Sequence, residues 1–156
     1  MDAFADELVS HMPYLRRFAT KLTFDATAAE DLVQDTMERA LRARDSFQMG
    51  TNMRGWLAFI LRNQFYSDRR RAWRSVQMAE GQAEAVMAAD NPFHGLDLED
   101  TLKALSILPP EQSEALLLIA EGEDYDTAAQ ELGCEVGTVK SRVSRARDAL
   151  DIYFAA

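Results

Sequence analysis

Residues 132–150 read LGCEVGTVKSRVSRARDAL, a short turn followed by a segment whose periodicity predicts one amphipathic helix. Apolar side chains recur there at steps of four, three and four residues, which places them on one stripe of a helix with about 3.6 residues per turn. They are Val139, Val143, Ala146 and Leu150. The opposite face carries cations and hydroxyls and no carboxylate. This segregation favours a helix that packs on its own domain with one face and lies in a DNA groove with the other.

The residues upstream of this helix predict a second, shorter one. Asp124 can cap a helix from Tyr125 to Leu132, and Gly133 stands where a helix C-terminus needs a residue that tolerates positive φ. Two helices joined by about three residues form a helix-turn-helix, whose second helix fits the major groove, which is about 12 Å wide. The alternative is a solvated cationic surface helix. It accounts for the arginines but leaves the cap and the glycine turn unexplained, so the sequence favours DNA binding.

The net charge of −9 argues against nucleic acid, but the charges are segregated along the chain. Residues 75–139 contain 14 acids and one base, whereas residues 54–74 contain six arginines and one acid, and residues 140–147 contain four bases and no acid. Charges more than about 8 Å apart are largely screened at physiological ionic strength. Two basic surfaces can therefore bind phosphate on a protein that is acidic overall, although its non-specific affinity for DNA is expected to be weak.

The first part of the chain predicts helices with an acidic outer stripe. Apolar residues at helical spacing mark residues 4–22, with a break or kink at Pro13. The pattern Thr27-Ala-Ala-Glu30 is a capping box that opens a helix to about Arg44. Its inner face comprises Leu32, Val33, Thr36, Met37, Ala40 and Leu41, and its outer face carries Asp31, Gln34, Asp35 and Glu38. Such a stripe is either a solvated face or a docking surface, and the pattern alone favours the solvated face.

A longer helical pattern runs from about Met53 to Arg74, after a loop marked by Gly50 and Asn52. Its predicted buried face consists of Leu57, Ile60, Leu61, Phe65 and Ala72. The other side interleaves aromatic rings and cations, namely Phe59, Arg62, Tyr66, Arg69, Arg70 and Trp73. Such a face suits single-stranded nucleic acid, because bases stack on rings while guanidinium groups hold phosphate. Packing of the rings against a neighbouring helix explains the same spacing equally well.

Other classes of chemistry have little support in the sequence. Cys134 is the single cysteine, so no internal disulfide is possible, and neither a metal nor a cofactor is predicted because no Cys/His cluster has ligand spacing. The two histidines, His11 and His94, stand in unrelated segments. No signal peptide and no apolar run of about 18 residues is found, so we expect a cytoplasmic protein with no membrane span.

These elements predict an all-α chain of two small helical domains. The first domain covers residues 1–75, an acidic, flexible linker covers 76–97, and the second domain covers 98–156. In the second domain a helix marked by leucines from Leu98 to Leu108 is ended by Pro109-Pro110, which also begins the next helix. Two further helices form the helix-turn-helix.

The order of these motifs resembles that of the extracytoplasmic-function sigma factors of bacterial RNA polymerase, most closely the group that runs the general stress response. The resemblance rests on GTNMRGWLAFILRNQFYSDRRRAWR (50–74) and on LPPEQSEALLLIAEGEDYDTAAQELGCEVGTVKSRVSRARDAL (108–150). It implies sigma domain two, a linker and sigma domain four. The implied function is to bind core RNA polymerase and direct promoter-specific initiation, with no enzymatic activity of its own.

The resemblance also implies roles for particular residues. The residues that match the stretch gripping the coiled coil of the largest polymerase subunit are Asp31, Leu32, Gln34 and Asp35. Those that match the surface melting and holding the downstream (−10) promoter element are Asn52, Arg62, Asn63, Tyr66, Arg69 and Arg70. Those that match the upstream (−35) contacts are Thr138, Lys140, Ser141, Arg142, Ser144 and Arg145. Docking thereby becomes the favoured interpretation of the acidic stripe.

Three alternatives to a sigma factor fit the sequence less well. A sigma-like decoy that binds an anti-sigma protein without promoter activity usually carries a receiver domain, which this chain has no room for. A two-domain enzyme lacks any plausible catalytic constellation here. A stand-alone DNA-binding repressor leaves the arginines of residues 54–74 unexplained.

The charge map further predicts a closed form of the free protein. The linker and second domain supply a local charge of −13 that can approach both basic surfaces. We expect both DNA-binding surfaces to be partly masked, and an anti-sigma partner to stabilise the closed form by inserting helices between the domains.

Overall fold

The computed structural model describes residues 2–77 and 98–155, and within these ranges the chain forms α-helices and one short 3-10 turn, with no strand. The helices are α1 (Ala3–Ser10), α2 (Met12–Thr23), α3 (Ala26–Arg42), α4 (Met53–Gln77), α5 (Leu98–Ser106), α6 (Pro110–Ala120), α7 (Tyr125–Leu132) and α8 (Val136–Ala155), and the 3-10 turn is Arg44–Ser46. The predicted all-α class is confirmed. Of the predicted linker, Val76 and Gln77 belong to α4, and residues 78–97 lie outside the described residues.

The break predicted within residues 4–22 is confirmed. α1 ends at Ser10, and α2 begins at Met12 with Pro13 in its first turn. Proline has no backbone N–H, and the first turn of a helix has no intrahelical acceptor for one, so Pro13 starts a helix at no cost in hydrogen bonding.

The capping box predicted at Thr27 and Glu30 is wrong. α3 begins at Ala26, and the Asp25 carboxylate accepts hydrogen bonds from the backbone N–H groups of Thr27 at 2.9 Å and Ala28 at 3.5 Å. Glu30 instead accepts from the Arg16 guanidinium on α2, at 3.2 and 3.3 Å. Aspartate is a strong N-cap residue, so it starts the helix before Thr27 can do so.

α4 lies at the centre of the molecule. Its six consecutive residues Trp56–Leu61 are all at most 4% exposed, so no side of the helix faces solvent there. α2 and α3 pack against it from the first domain, and α6 packs against it from the second. The Trp56 ring also contacts the Phe47 ring, at 4.9 Å between centroids, which ties down the loop preceding the helix. Ala72, predicted to be buried, is exposed, because it lies beyond this covered part of the helix.

The second domain packs α8 against α6 and α7. The apolar stripe predicted on α8 is confirmed: its four members are at most 1% exposed, and they are Val139, Val143, Ala146 and Leu150. Pro110 opens α6 directly after α5 and a short turn. Among the described residues no helix is long and apolar enough to span a bilayer, and no group of His, Cys, Asp or Glu side chains is arranged to hold a metal ion.

The cap of α3 gives a test of the fold. Asp25→Ala should lower the free energy of unfolding by about 1 kcal/mol, because it removes the acceptor for the first helical N–H groups. Thr27→Ala, a matched control within the same turn, should leave it unchanged or slightly higher, because alanine is the better helix former. Urea denaturation of both variants measures the difference. A larger loss for Thr27→Ala would show that threonine is the functional cap.

Candidate nucleic-acid interface

The helix-turn-helix has the predicted local geometry. The Asp124 carboxylate accepts the Thr127 N–H at 2.7 Å, and this hydrogen bond lowers the pKa of Asp124. Gly133 ends α7 with φ of 67°, a left-handed conformation that glycine adopts without strain. The Cys134 N–H then bonds to the Ala129 carbonyl at 3.0 Å, which closes the turn and sets the direction of α8.

The outer face of α8 is free for a ligand. Four of the six residues expected at the upstream element are exposed, namely Lys140, Ser141, Ser144 and Arg145, and the other two, Thr138 and Arg142, are half-buried at its edges. A Cβ placed on Gly137 would meet nothing within 4 Å, so the start of the helix is open to a close backbone approach. This face is not masked by the first domain, so the partial masking expected for both surfaces is absent at α8.

Lys140 is oriented by the first helix of the motif. Its Nζ lies 5.5 Å from the centroid of the Tyr125 ring on α7. A cation–π contact of this kind restrains the side chain without neutralising it. The charge therefore remains available on the exposed face.

The aromatic and cationic side of α4 is largely a packing surface. Phe59 is 4% exposed, and Tyr66 is half-buried with its ring edge-on to Phe65, at 5.2 Å. Packing, the alternative left open by the spacing, is therefore correct for Phe59. The Arg69 guanidinium lies 5.2 Å from the Phe65 ring and is exposed, while the Asn63 amide donates to the carbonyl of Phe59 on its own helix at 3.0 Å.

One predicted site residue and one ring of the same face lie outside this description. The side chains of Arg70 and Trp73 fall outside the described part of the chain. Arg69 is therefore the exposed cation among those downstream-element residues of α4 whose side chains are described.

Asn52 and Arg62 are both bound to the second domain. The Asn52 Oδ1 accepts the Gly55 N–H at 3.0 Å, which caps α4, while its Nδ2 donates to Glu121 Oε2 at 3.2 Å. Arg62 Nη1 donates to the main-chain carbonyls of Ile119 and Ala120, both at 3.4 Å. These two side chains, which are expected at the downstream element, therefore already donate to acceptors of the second domain.

Glu121 has a central place in this region, although the sequence predicts no role for it. Its side chain is 7% exposed and forms an ion pair with Arg54, with Nε and Oε1 3.1 Å apart. Burial raises its pKa, while the Asn52 amide and the Arg54 charge oppose the shift. Its partners lie more than sixty residues away in sequence, and no periodic pattern links them. The available signal was the acidic run Glu121-Gly122-Glu123 at a helix end.

Glu123 is the most perturbed carboxyl group in this cluster. Burial, followed by the neighbouring Glu131 carboxyl, raises its pKa to about 7. Its Oε2 atom is buried and has no hydrogen-bond partner. Both observations favour the protonated form, because an unpaired buried carboxylate is costly.

Three of the four residues of α3 that are expected to bind the polymerase lie on the surface. Asp31, Gln34 and Asp35 are exposed, and partial burial, reinforced by Asp68, raises the pKa of Asp35. Leu32 is 4% exposed and belongs to the core. Its burial agrees with the inner face predicted for α3, and its expected contact with a partner stays a prediction.

The inner face of α3 departs from its prediction at one position. Leu41 is 47% exposed, since it lies in the last turn of the helix, where the first domain no longer covers it. The other predicted members are buried or half-buried.

Comparison with known proteins gives the following similarities. Residues 8–75 match the family described as sigma-70 region 2, and residues 98–150 match sigma-70 region 4. The chain is 45% identical to the ECF RNA polymerase sigma factor EcfG of Rhodopseudomonas palustris, over 96% of this chain and 83% of that protein. It is 38% identical to the ECF RNA polymerase sigma factor SigC of Mycobacterium tuberculosis, over 86% of this chain and 74% of that protein.

A solved structure is similar over the full length. It is the sigma factor RpoE of Bartonella quintana, crystallised in complex with the anti-sigma factor NepR. The TM-score is 0.51 and the identity 42%, with 100% of this chain and 99% of that chain covered.

The exposed face of α8 gives a prediction for DNA binding. The double variant Lys140→Ala/Arg145→Ala should weaken binding to a duplex containing the recognition sequence by about 1–3 kcal/mol for each lost base contact. Lys21→Ala/Lys103→Ala removes the same number of cations from other surfaces and serves as the control. Fluorescence anisotropy with a labelled duplex measures both. Equal affinities for the two double variants would remove this face from recognition.

The acidic cluster gives a prediction for pH dependence. Because the pKa of Glu123 is about 7 in the folded protein and near 4.5 when unfolded, the folded state binds the extra proton. Folding stability from this group is therefore greatest below pH 4.5 and falls as the pH rises towards 7. Glu123→Gln should flatten this fall in thermal melts recorded from pH 5 to 8. Glu111→Gln, which removes an exposed carboxylate of the same domain, should retain it, and a parental slope in Glu123→Gln would contradict the assignment.

Proposed function

The chain belongs to the extracytoplasmic-function sigma factors of bacterial RNA polymerase, proteins that direct promoter-specific transcription initiation, and we propose that it does so through three separate surfaces. α3 docks on the coiled coil of the largest polymerase subunit, the loop before α4 together with the α4 face holds the melted downstream element, and α8 reads the upstream element. We further propose that its promoters belong to stress-response genes, and that it acts in the cytoplasm with the polymerase. The similarity to EcfG supports the choice of this group.

The exposed face of α8 is the observation that carries the proposal. An apolar stripe whose side chains are at most 1% exposed holds the helix on the domain. The outward face presents two exposed cations and two exposed hydroxyls. Lysine and arginine bond to the acceptors of guanine, and serine bonds to several base edges. Thr138 and Arg142, at the edges of this face, are suited to the flanking phosphates.

For the downstream element, we propose contacts by Asn52, Arg62, Asn63, Tyr66, Arg69 and Arg70. Asn52 ends the loop of residues 46–52, which forms one wall of a cleft of about 190 Å³ whose other wall is α5 and α6 of the second domain. Extruding a base from its stack costs a few kcal/mol, so a rigid loop that keeps its shape when α5 and α6 move away is suited to form the pocket that holds one. The ring packing of Phe47 on Trp56 supplies that rigidity. Two of the donors are occupied by the second domain, so this use requires the domains to separate.

For polymerase docking, we propose Asp31, Gln34 and Asp35. They lie on the exposed side of α3, and Leu32 supports the helix from within the core. A rigid acidic face of this kind suits a basic partner, because charge complementarity raises the association rate.

We also propose that an anti-sigma protein restrains this chain. The related sigma factor RpoE was crystallised with such a partner. A decoy without promoter activity is the second candidate, but the uncovered face of α8 favours a chain that still reads DNA.

Transcription from purified components tests the proposed function. The chain is added to core RNA polymerase and genomic DNA, and the transcripts are sequenced from their 5′ ends. Start sites that share an upstream and a downstream element, and that vanish without the chain, are expected. Transcripts that are the same with and without the chain would contradict the proposal.

Polymerase docking yields its own prediction. Asp31→Ala/Asp35→Ala should weaken binding to core polymerase by roughly tenfold at low salt, because two exposed charges contribute up to about 1 kcal/mol each. The difference should shrink as salt is raised. Asp6→Ala/Asp45→Ala, which makes the same charge change elsewhere on the first domain, is the control in the same surface plasmon resonance assay. If both double variants bind alike, the α3 stripe is a solvated face.

A further inference from the structure

The two domains meet where the backbones of α4 and α6 come unusually close. A Cβ placed on Gly55 would lie 2.8 Å from Leu117 Cβ and 2.8 Å from the Leu117 carbonyl oxygen. A backbone oxygen cannot move aside as a flexible side chain can. Gly55 is therefore a position where the closed arrangement accepts no side chain, although it lies in the first turn of a helix where alanine would otherwise be favoured.

Polar contacts surround this point of close approach. The Glu121 carboxylate accepts from the Asn52 amide and pairs with Arg54, as described above. The Tyr14 hydroxyl donates to the Glu121 main-chain carbonyl at 3.1 Å, and the Arg54 guanidinium lies 4.0 Å from the Tyr14 ring centroid. Tyr14 is half-buried and the Glu121 carboxylate is 7% exposed, whereas the Arg54 side chain is 50% exposed. The hydrogen bonds from Asn52 and Tyr14 are therefore shielded from solvent, and the Arg54 ion pair is partly screened by it.

Arg62 engages the end of α6 through its carbonyl groups. The last carbonyls of a helix have no intrahelical donor and carry the negative end of its dipole. Arg62 donates to two of them, Ile119 and Ala120. The end of α6 therefore presents the Glu121 carboxylate and two carbonyl acceptors, of which that of Ile119 also accepts the Gly122 N–H at 3.0 Å. This arrangement of negative charge and acceptors resembles a nucleic-acid strand.

We propose that the turn 119–122 at the end of α6 is an autoinhibitory plug that occupies the strand-binding groups Asn52 and Arg62, and that Gly55 is the position that lets it seat. This proposal rests on the proposed function for the identity of the strand that is excluded. The plug covers the first DNA surface alone, since the reading face of α8 stays exposed. Closure therefore blocks the melted downstream element and leaves the upstream contact free.

Interdomain distance in the full chain tests the plug directly. Cys134 in the second domain and Ser10→Cys in the first carry a donor and acceptor dye pair, and energy transfer reports closure. Glu121→Ala removes the carboxylate, and Gly55→Ala adds a methyl group at the contact with Leu117. Gly137→Ala, another helical glycine but with no neighbour within 4 Å, is the matched control.

The parent and the Gly137→Ala control should show high transfer. Both Glu121→Ala and Gly55→Ala should raise the open fraction by about tenfold or more, since each removes or displaces a shielded interaction. Circular dichroism confirms that each variant keeps its helical content. Parental transfer in either variant, or low transfer already in the parent, overturns the proposal.

Transcription separates this proposal from the proposed function. Glu121→Ala, which leaves every proposed DNA contact intact, should reach half-maximal promoter-specific transcription with core polymerase at a severalfold lower concentration than the parent. An unchanged concentration overturns the inhibitory role of the plug. Absence of promoter-specific transcripts from parent and variant alike overturns the proposed function, while the energy-transfer result still reports whether turn 119–122 closes the chain.

Discussion

The burial of α4 on all sides is the constraint on which the rest of the structure depends. Residues Trp56–Leu61 leave no polar side facing water, so two sets of helices must cover them. α2 and α3 cover one side, and α6 covers the other. Apolar area removed from water contributes about 25 cal/mol per Å², so burial of the second side favours docking of the domains. The apolar surface that holds the two domains together therefore belongs to α4, a helix of the first domain.

This constraint brings the domain contact into competition with the proposed strand contact. α6 covers α4 beside Asn52 and Arg62, the residues that also serve the downstream element in the proposed function. A donor that already bonds to a protein acceptor must give up that bond before it binds a nucleic acid. In the proposed function, promoter melting and domain separation are therefore coupled. The recognition helix is anchored within its own domain and is independent of that equilibrium.

The acidic character of the chain has two structural uses. On α3 the carboxylates remain exposed, which suits them to an encounter with a basic partner. Around Glu121 they are drawn into the domain boundary, where burial raises the pKa of Glu121 and Glu123. A net charge of −9 is compatible with a cationic surface on α8, because its outer face exposes Lys140 and Arg145 and carries no carboxylate between residues 140 and 147.

Local features followed from the sequence because each depends on neighbours in the chain. The helix-turn-helix, the stripe from Val139 to Leu150, the break before Pro13 and the all-α class all come from periodicity and from capping or turn residues. Choices between nearby caps, such as Asp25 over Thr27, already depended on where α2 ends. The roles of Phe59, Arg62 and Glu121 were decided by tertiary structure alone. A period of about 3.6 residues marks one buried face of a helix, but a second domain covers the other face of α4 as well. Contacts between residues more than fifty positions apart leave no trace in local spacing.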